Sequence, residues 1–211
     1  MTEAASPRLI DPLTIQVSRP LVLLRLGYRQ AGQVPPKTSR LLDEVIGQSE
    51  PLLSPRAICA AFDVVLRGDG RIAIGGALES ASRSLLERLE GCRRAVLFAA
   101  TIGPALEEWV QSLNTAGEMS RALLADAYAS SAAIALGMAM ESFAQDLFQD
   151  LDLQPTRRYA PGYGDWELSC QEPLLDLVGA GRIGIRLTEG FLMLPAKSIS
   201  GVIGGRQRPL P

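Results

Sequence analysis

Apolar positions along the chain repeat at helical spacing in some stretches and at strand spacing in others, with no internal repeat. After a loose arm over residues 1–15, the apolar run 16–28 predicts a helix. In "PPKTSRLLDEVIGQSEPLL" two prolines precede Leu41, Leu42, Val45 and Ile46, which lie at helical spacing and predict a second helix. "AFDVVLRGDGRIAIGG" holds two β-rich runs around Gly68-Asp69-Gly70, a hairpin signal. Residues 78–89 return to helical spacing, and "RRAVLFAATIG" is the short apolar run of a buried strand. Pro104 opens a long helical region, interrupted near 114–117 and continuing to about 150. Within it Ala129, Ala132, Ala133 and Gly137 are small enough to let a neighbour approach closely. A short helix over 172–178, a strand carrying Ile183, Ile185 and Leu187, and an extended run through Ser198 and Val202 complete the pattern. "GGRQRPLP" reads as a frayed tail. Strand signals come partly as hairpins rather than in strict alternation with helices. The expected fold is therefore α+β, a largely antiparallel twisted sheet flanked by helices.

Composition narrows the function. At 211 residues the chain is long enough for one domain that buries about 70% of its unfolded surface. We place that domain at 16–205, with a helical lead-in and first hairpin over 16–94 and a tail over 206–211. Lys and Arg total 21 against 23 Asp and Glu, so net charge makes no case for a nucleic-acid partner. The acids and prolines of "MTEAASPRLIDPLT" do not suit a secretory signal, which points to the cytoplasm. The most apolar window, 127–140, is shorter than the roughly 20 residues that cross a bilayer, so a buried helix is expected and no membrane partner. The chain contains no histidine, which excludes Ser-His-Asp and Cys-His catalysis and histidine-ligated metal. Cys59, Cys92 and Cys170 form no CxxC pair and are expected to be structural.

Two motifs carry candidate chemistry. Gly179-Ala180-Gly181-Arg182-Ile183-Gly184 satisfies GxGxxG, but a helix precedes it and a strand follows, the reverse of the dinucleotide-binding order. A helix-terminating glycine and a turn account for it better. The second motif, "RRYAPGYGDW" over 157–166, places Pro161 and Gly162 at the centre of a type II turn, beside Tyr163 and just after Arg158. Arg158 could grip a carboxylate with its guanidinium fork, or the stretch could be a surface turn with Tyr159 and Trp166 packed on the core.

"RYAPGYGDW", "IGIRLTEGFLMLPAKSISG" and the helical "ESFAQDL" resemble the activation domain of cobalamin-dependent methionine synthase, over 95–205 and most closely over 141–201. The "GYGDW" variant and the early "LGYR" resemble short stand-alone members of that family. The resemblance implies an S-adenosylmethionine-binding module for methionine biosynthesis. Such a module docks on a corrinoid protein or split methionine synthase and supports reductive remethylation of the cobalamin carried by that partner. An electron donor such as flavodoxin or ferredoxin is implied too. By position, Arg158 matches the arginine that holds S-adenosylmethionine, Pro161 and Gly162 its turn, and Tyr163 the tyrosine at the ligand and corrinoid face. Glu141 matches the acid offered to the ligand. Ile203 and Gly204 stand where the family has an aromatic pair in the ligand site. Glu189 and Ser198 are further candidates, with strand-edge polarity and turn hydrogen bonding as their competing roles. The chain offers no nucleophile or acid–base pair of its own. The lost aromatic pair supports an alternative, a non-catalytic docking or scaffold protein without S-adenosylmethionine binding.

Overall fold

A computed structural model describes residues 6–207. Seven strands form an antiparallel sheet in the order β4-β3-β2-β5-β9-β6, with β1 also paired to β2. The central members are β2 (Arg56–Leu66), β5 (Cys92–Thr101) and β9 (Ser198–Gln207). The hairpin at Gly68-Asp69-Gly70 joins β2 to β3 (Ile72–Ile74), closed by the Arg67 amide donating to the Arg71 carbonyl at 2.8 Å.

Side-chain alternation along the central strands feeds two cores. Cys59, Val96, Phe98 and Ile203 face α1 (Arg19–Arg25), α2 (Pro36–Ser49), α4 (Ala105–Thr115) and α5 (Met119–Gln149). Ile58, Leu97 and Val202 face the opposite layer, built from α3 (Arg83–Arg88) and α6 (Gln171–Val178). Burial on both faces explains why these strands read as continuous apolar runs rather than as alternation. The helix α5 is long and apolar enough by composition to cross a membrane, and 61% of its most apolar window is buried inside this fold.

The sequence expectations need four corrections. The arm is not loose throughout: residues 1–5 lie outside the described region, but β1 (Arg8–Ile10) pairs with Ala57–Cys59, and the Arg8 guanidinium stands 5.1 Å from the Phe143 ring centre on α5. The helix expected over 78–89 is shorter, because β4 (Leu78–Ser80) pairs with β3 and Ser82 then caps α3, its Oγ accepting from the Leu85 amide at 3.0 Å. Ile183 ends a 3₁₀ turn, and the strand after it is only β7 (Arg186–Leu187), paired with β8 (Met193–Leu194). The end of the chain is not frayed through 207: Arg206 pairs with both Cys92 and, in β6 (Leu153–Pro155), Gln154. Residues 208–211 lie outside the described region. Gly179 ends α6 in the left-handed conformation, φ 70°, the helix-terminating role expected for the first glycine of the GxGxxG match.

Candidate functional site

Residues 157–166 follow β6 along the edge of β9. Tyr159 and Val202 exchange both backbone hydrogen bonds, at 2.9 and 2.8 Å, and Pro155 is registered with Gly205. Between those pairs the 155–159 segment takes four steps while β9 takes three, from 205 to 202. The extra residue is a β-bulge, a device that re-aims side chains. Gly201 makes the pairing possible, since a β-carbon there would stand 2.8 Å from the Tyr159 carbonyl oxygen.

The turn follows at once. The Tyr163 amide donates to the Ala160 carbonyl at 3.2 Å, and Gly162 has φ 89°, the type II geometry that proline followed by glycine favours. Tyr163 is left 66% exposed. Tyr159 stacks on the buried Trp166 with ring centres 5.8 Å apart, and its hydroxyl donates to the Tyr163 carbonyl at 2.8 Å. Asp165 ties the loop to the start of α3, accepting from Ser82 Oγ at 2.6 Å and from the Arg83 and Ser84 amides at 2.7 and 3.1 Å. The Ser82 hydroxyl bond foremost, with the bonds from Ser84 and Arg83, holds the Asp165 carboxyl well below the usual carboxylate range against its own desolvation.

Arg158 points to the helical side. Its guanidinium lies in the niche left by Gly137 on α5, where a β-carbon would come within 1.1 Å of Nη1. One turn further along α5, Glu141 Oε1 stands 3.7 Å from Arg158 Nε. Arg158 borders a cavity of about 570 Å³. Ser130, Ala133 and Ile134 of α5 form one wall, and Pro161 and Tyr163 stand at the turn. Lys197 adds a cation, its Nζ 2.8 Å from both Asp126 Oδ1 and Ser130 Oγ. Ser198 also lines the cavity, its hydroxyl donating to Thr101 Oγ1 at 2.9 Å, and neighbouring Ser200 donates to Gln171 Oε1 at 3.0 Å.

Arg158, Pro161, Tyr163 and Ser198 thus meet at one cavity, with Glu141 joined through Arg158. Gly162 shapes the turn rather than the lining. Ile203 and Gly204 do not reach the cavity. Ile203 is wholly buried in the core under the helices, and Gly204 is packed so that a β-carbon would strike Leu89 Cδ2 at 2.6 Å and Cys92 Sγ at 2.7 Å. Glu189 sits exposed in the β7–β8 turn, away from the lining. Sequence reasoning missed Lys197, Gln171 and Asp165. Of these only Asp165 carried a local signal, an acid just after a Pro-Gly turn.

Residues 90–209 match the family described as "Vitamin B12 dependent methionine synthase, activation domain". A solved structure titled "Crystal Structure of the MetH Reactivation Domain bound to AdoHcy" is similar over 99% of this chain and 82% of its own length, with a TM-score of 0.65 and 17% identity. No curated protein sequence matches.

Proposed function

The chain belongs to the family of the vitamin B12 dependent methionine synthase activation domain, and from that premise we propose that it binds S-adenosylmethionine and assists reactivation of a corrinoid methyltransferase. Its corrinoid partner is a separate polypeptide, a split methionine synthase or a related corrinoid protein, with flavodoxin or ferredoxin as electron donor. The observation that carries the proposal is Arg158 seated over Gly137, with Glu141 beside it, on a cavity of ligand size.

The residues fit the ligand chemically. A guanidinium has five donors, and the long contact to Glu141 leaves most of the Arg158 fork for a carboxylate. Glu141 supplies negative charge for an amino and a sulfonium group. The small residues Ser130 and Ala133 leave room along the wall of α5. The exposed Tyr163 ring at the rim offers an aromatic surface to the partner's corrinoid. Bound S-adenosylmethionine supplies the methyl group, and the chain's own contribution is to hold and orient it. A cytoplasmic place of action accompanies this reading and rests on the family.

The second reading, a docking protein that has given up the small ligand, is favoured by the burial of Ile203 and Gly204 away from the cavity. Calorimetry with S-adenosylmethionine and S-adenosylhomocysteine decides between them. Saturable binding is expected, and Arg158→Ala should weaken it about ten- to a hundredfold, since hydrogen bonds to a charged partner contribute roughly 1.5–3 kcal/mol. Unchanged affinity in the variant would remove Arg158 from the site, and no heat from the native chain would favour the docking reading.

A further inference from the structure

The bulge that carries Arg158 to the helical side leaves Arg157 at a second cavity, of about 510 Å³. Arg88 from α3 and Arg206 from β9 line it with Arg157. The two cavities are separated by Tyr159, which lines both. One carboxylate, Glu87, borders the second cavity, and it is drawn to Arg83 at 3.1 Å.

Among the described residues none of the three arginines is in an ion pair. Arg206 Nε donates to the Glu90 carbonyl at 2.9 Å, which satisfies one donor and leaves the charge uncompensated. The Arg88 guanidinium stands 5.5 Å from the Tyr159 ring centre, and its buried Nε has no hydrogen-bond acceptor. Like charges brought to one concavity repel, so packing alone does not favour this arrangement. Guanidinium forks match phosphate oxygens in pairs, which suits three arginines lining one cavity to such a group.

We propose that this cavity is a binding site for a diphosphate-type anion, of the kind carried by a nucleoside diphosphate. The site is independent of the S-adenosylmethionine reading, since it uses Arg157 and not Arg158.

The test is calorimetry on the native chain with inorganic pyrophosphate, with ADP as a second arm and poly-glutamate as a third. Saturable pyrophosphate binding is expected, weakened about tenfold or more in Arg157→Gln and in Arg206→Gln. It should be unchanged in Arg158→Gln and in Arg186→Gln, an exposed arginine outside the cavity, with circular dichroism confirming that each variant folds. Tighter binding of ADP assigns the anion to a nucleotide, and equal affinity assigns it to the diphosphate alone. Absence of saturable pyrophosphate binding overturns the proposal. So does equal weakening in Arg186→Gln, or binding of poly-glutamate without pyrophosphate, which would make the cavity a docking point for an acidic protein.

Discussion

At Gly137 a β-carbon would come within 1.1 Å of Arg158 Nη1 and 2.3 Å of its Cζ, so the guanidinium occupies volume that any other residue would fill. The obstructed atoms are the far end of a flexible side chain. Gly137→Ala should therefore leave the fold intact, and the gain in helix propensity, about 1 kcal/mol, should hold or raise thermal stability. Ligand affinity should fall all the same, by about tenfold or more, as Arg158 is pushed from its seat. Paired melting and calorimetry measurements check this, and a loss of both together would mean that the glycine serves helix packing instead. The residues legible in the sequence were those with local geometric demands: proline and glycine dictate their turn, and the turn places Tyr163. Gly137 was legible as a small residue, but nothing local says that its neighbour is an arginine side chain rather than another helix. Ile203 and Gly204 lie off the cavity lining, which their place in the motif could not reveal, since it does not say which neighbours a strand residue packs against.

The loop and α3 are joined by one carboxylate. Asp165 takes up the Ser82 hydroxyl and two amides at the helix start, doing from 83 residues away what a capping side chain does locally. Its folded pKa is depressed, so the stabilisation is complete above the ordinary carboxylate value of about 3.9 and is lost as pH falls from there through the folded value. Native protein should accordingly lose stability on acidification below about pH 4. Asp165→Asn should be less stable near pH 7 and flatter across that acid window, as read from denaturant midpoints against pH. Identical pH profiles would show that the link contributes nothing. At this scale the sequence revealed α2, β5, the β2–β3 hairpin and α5 through periodicity and turn chemistry. It concealed the β4–α3 boundary, where a serine cap interrupts helical spacing, and it concealed β1, whose three residues form a strand only because β2 is there to pair with.

One sheet serves two cores, so the molecule is expected to unfold as a unit. Cys59 belongs to the core under the long helices and Cys92 to the core under α3 and α6. Burial pushes the Cys59 thiol up to about 11 against the pull of Arg8, and burial likewise raises Cys92 and Cys170. Thiolate, the reactive form, is scarce at all three near neutral pH. Alkylation in increasing denaturant should therefore modify Cys59 and Cys92 with a common midpoint, and separate midpoints would show that the two layers open independently. The α+β class was legible because hairpin-joined strands exclude a regular strand-helix-strand series. The division of labour between the faces was not, since strands buried on both sides carry no alternation to read.

The extra residue between Pro155 and Tyr159 makes the chain sensitive to length as well as to identity. A chain one residue shorter there would pair with β9 without interruption, and the facing of the residues that lead into Tyr159 would change. The two cavities that meet at Tyr159 thus depend on the length of this segment as well as on the side chains it carries.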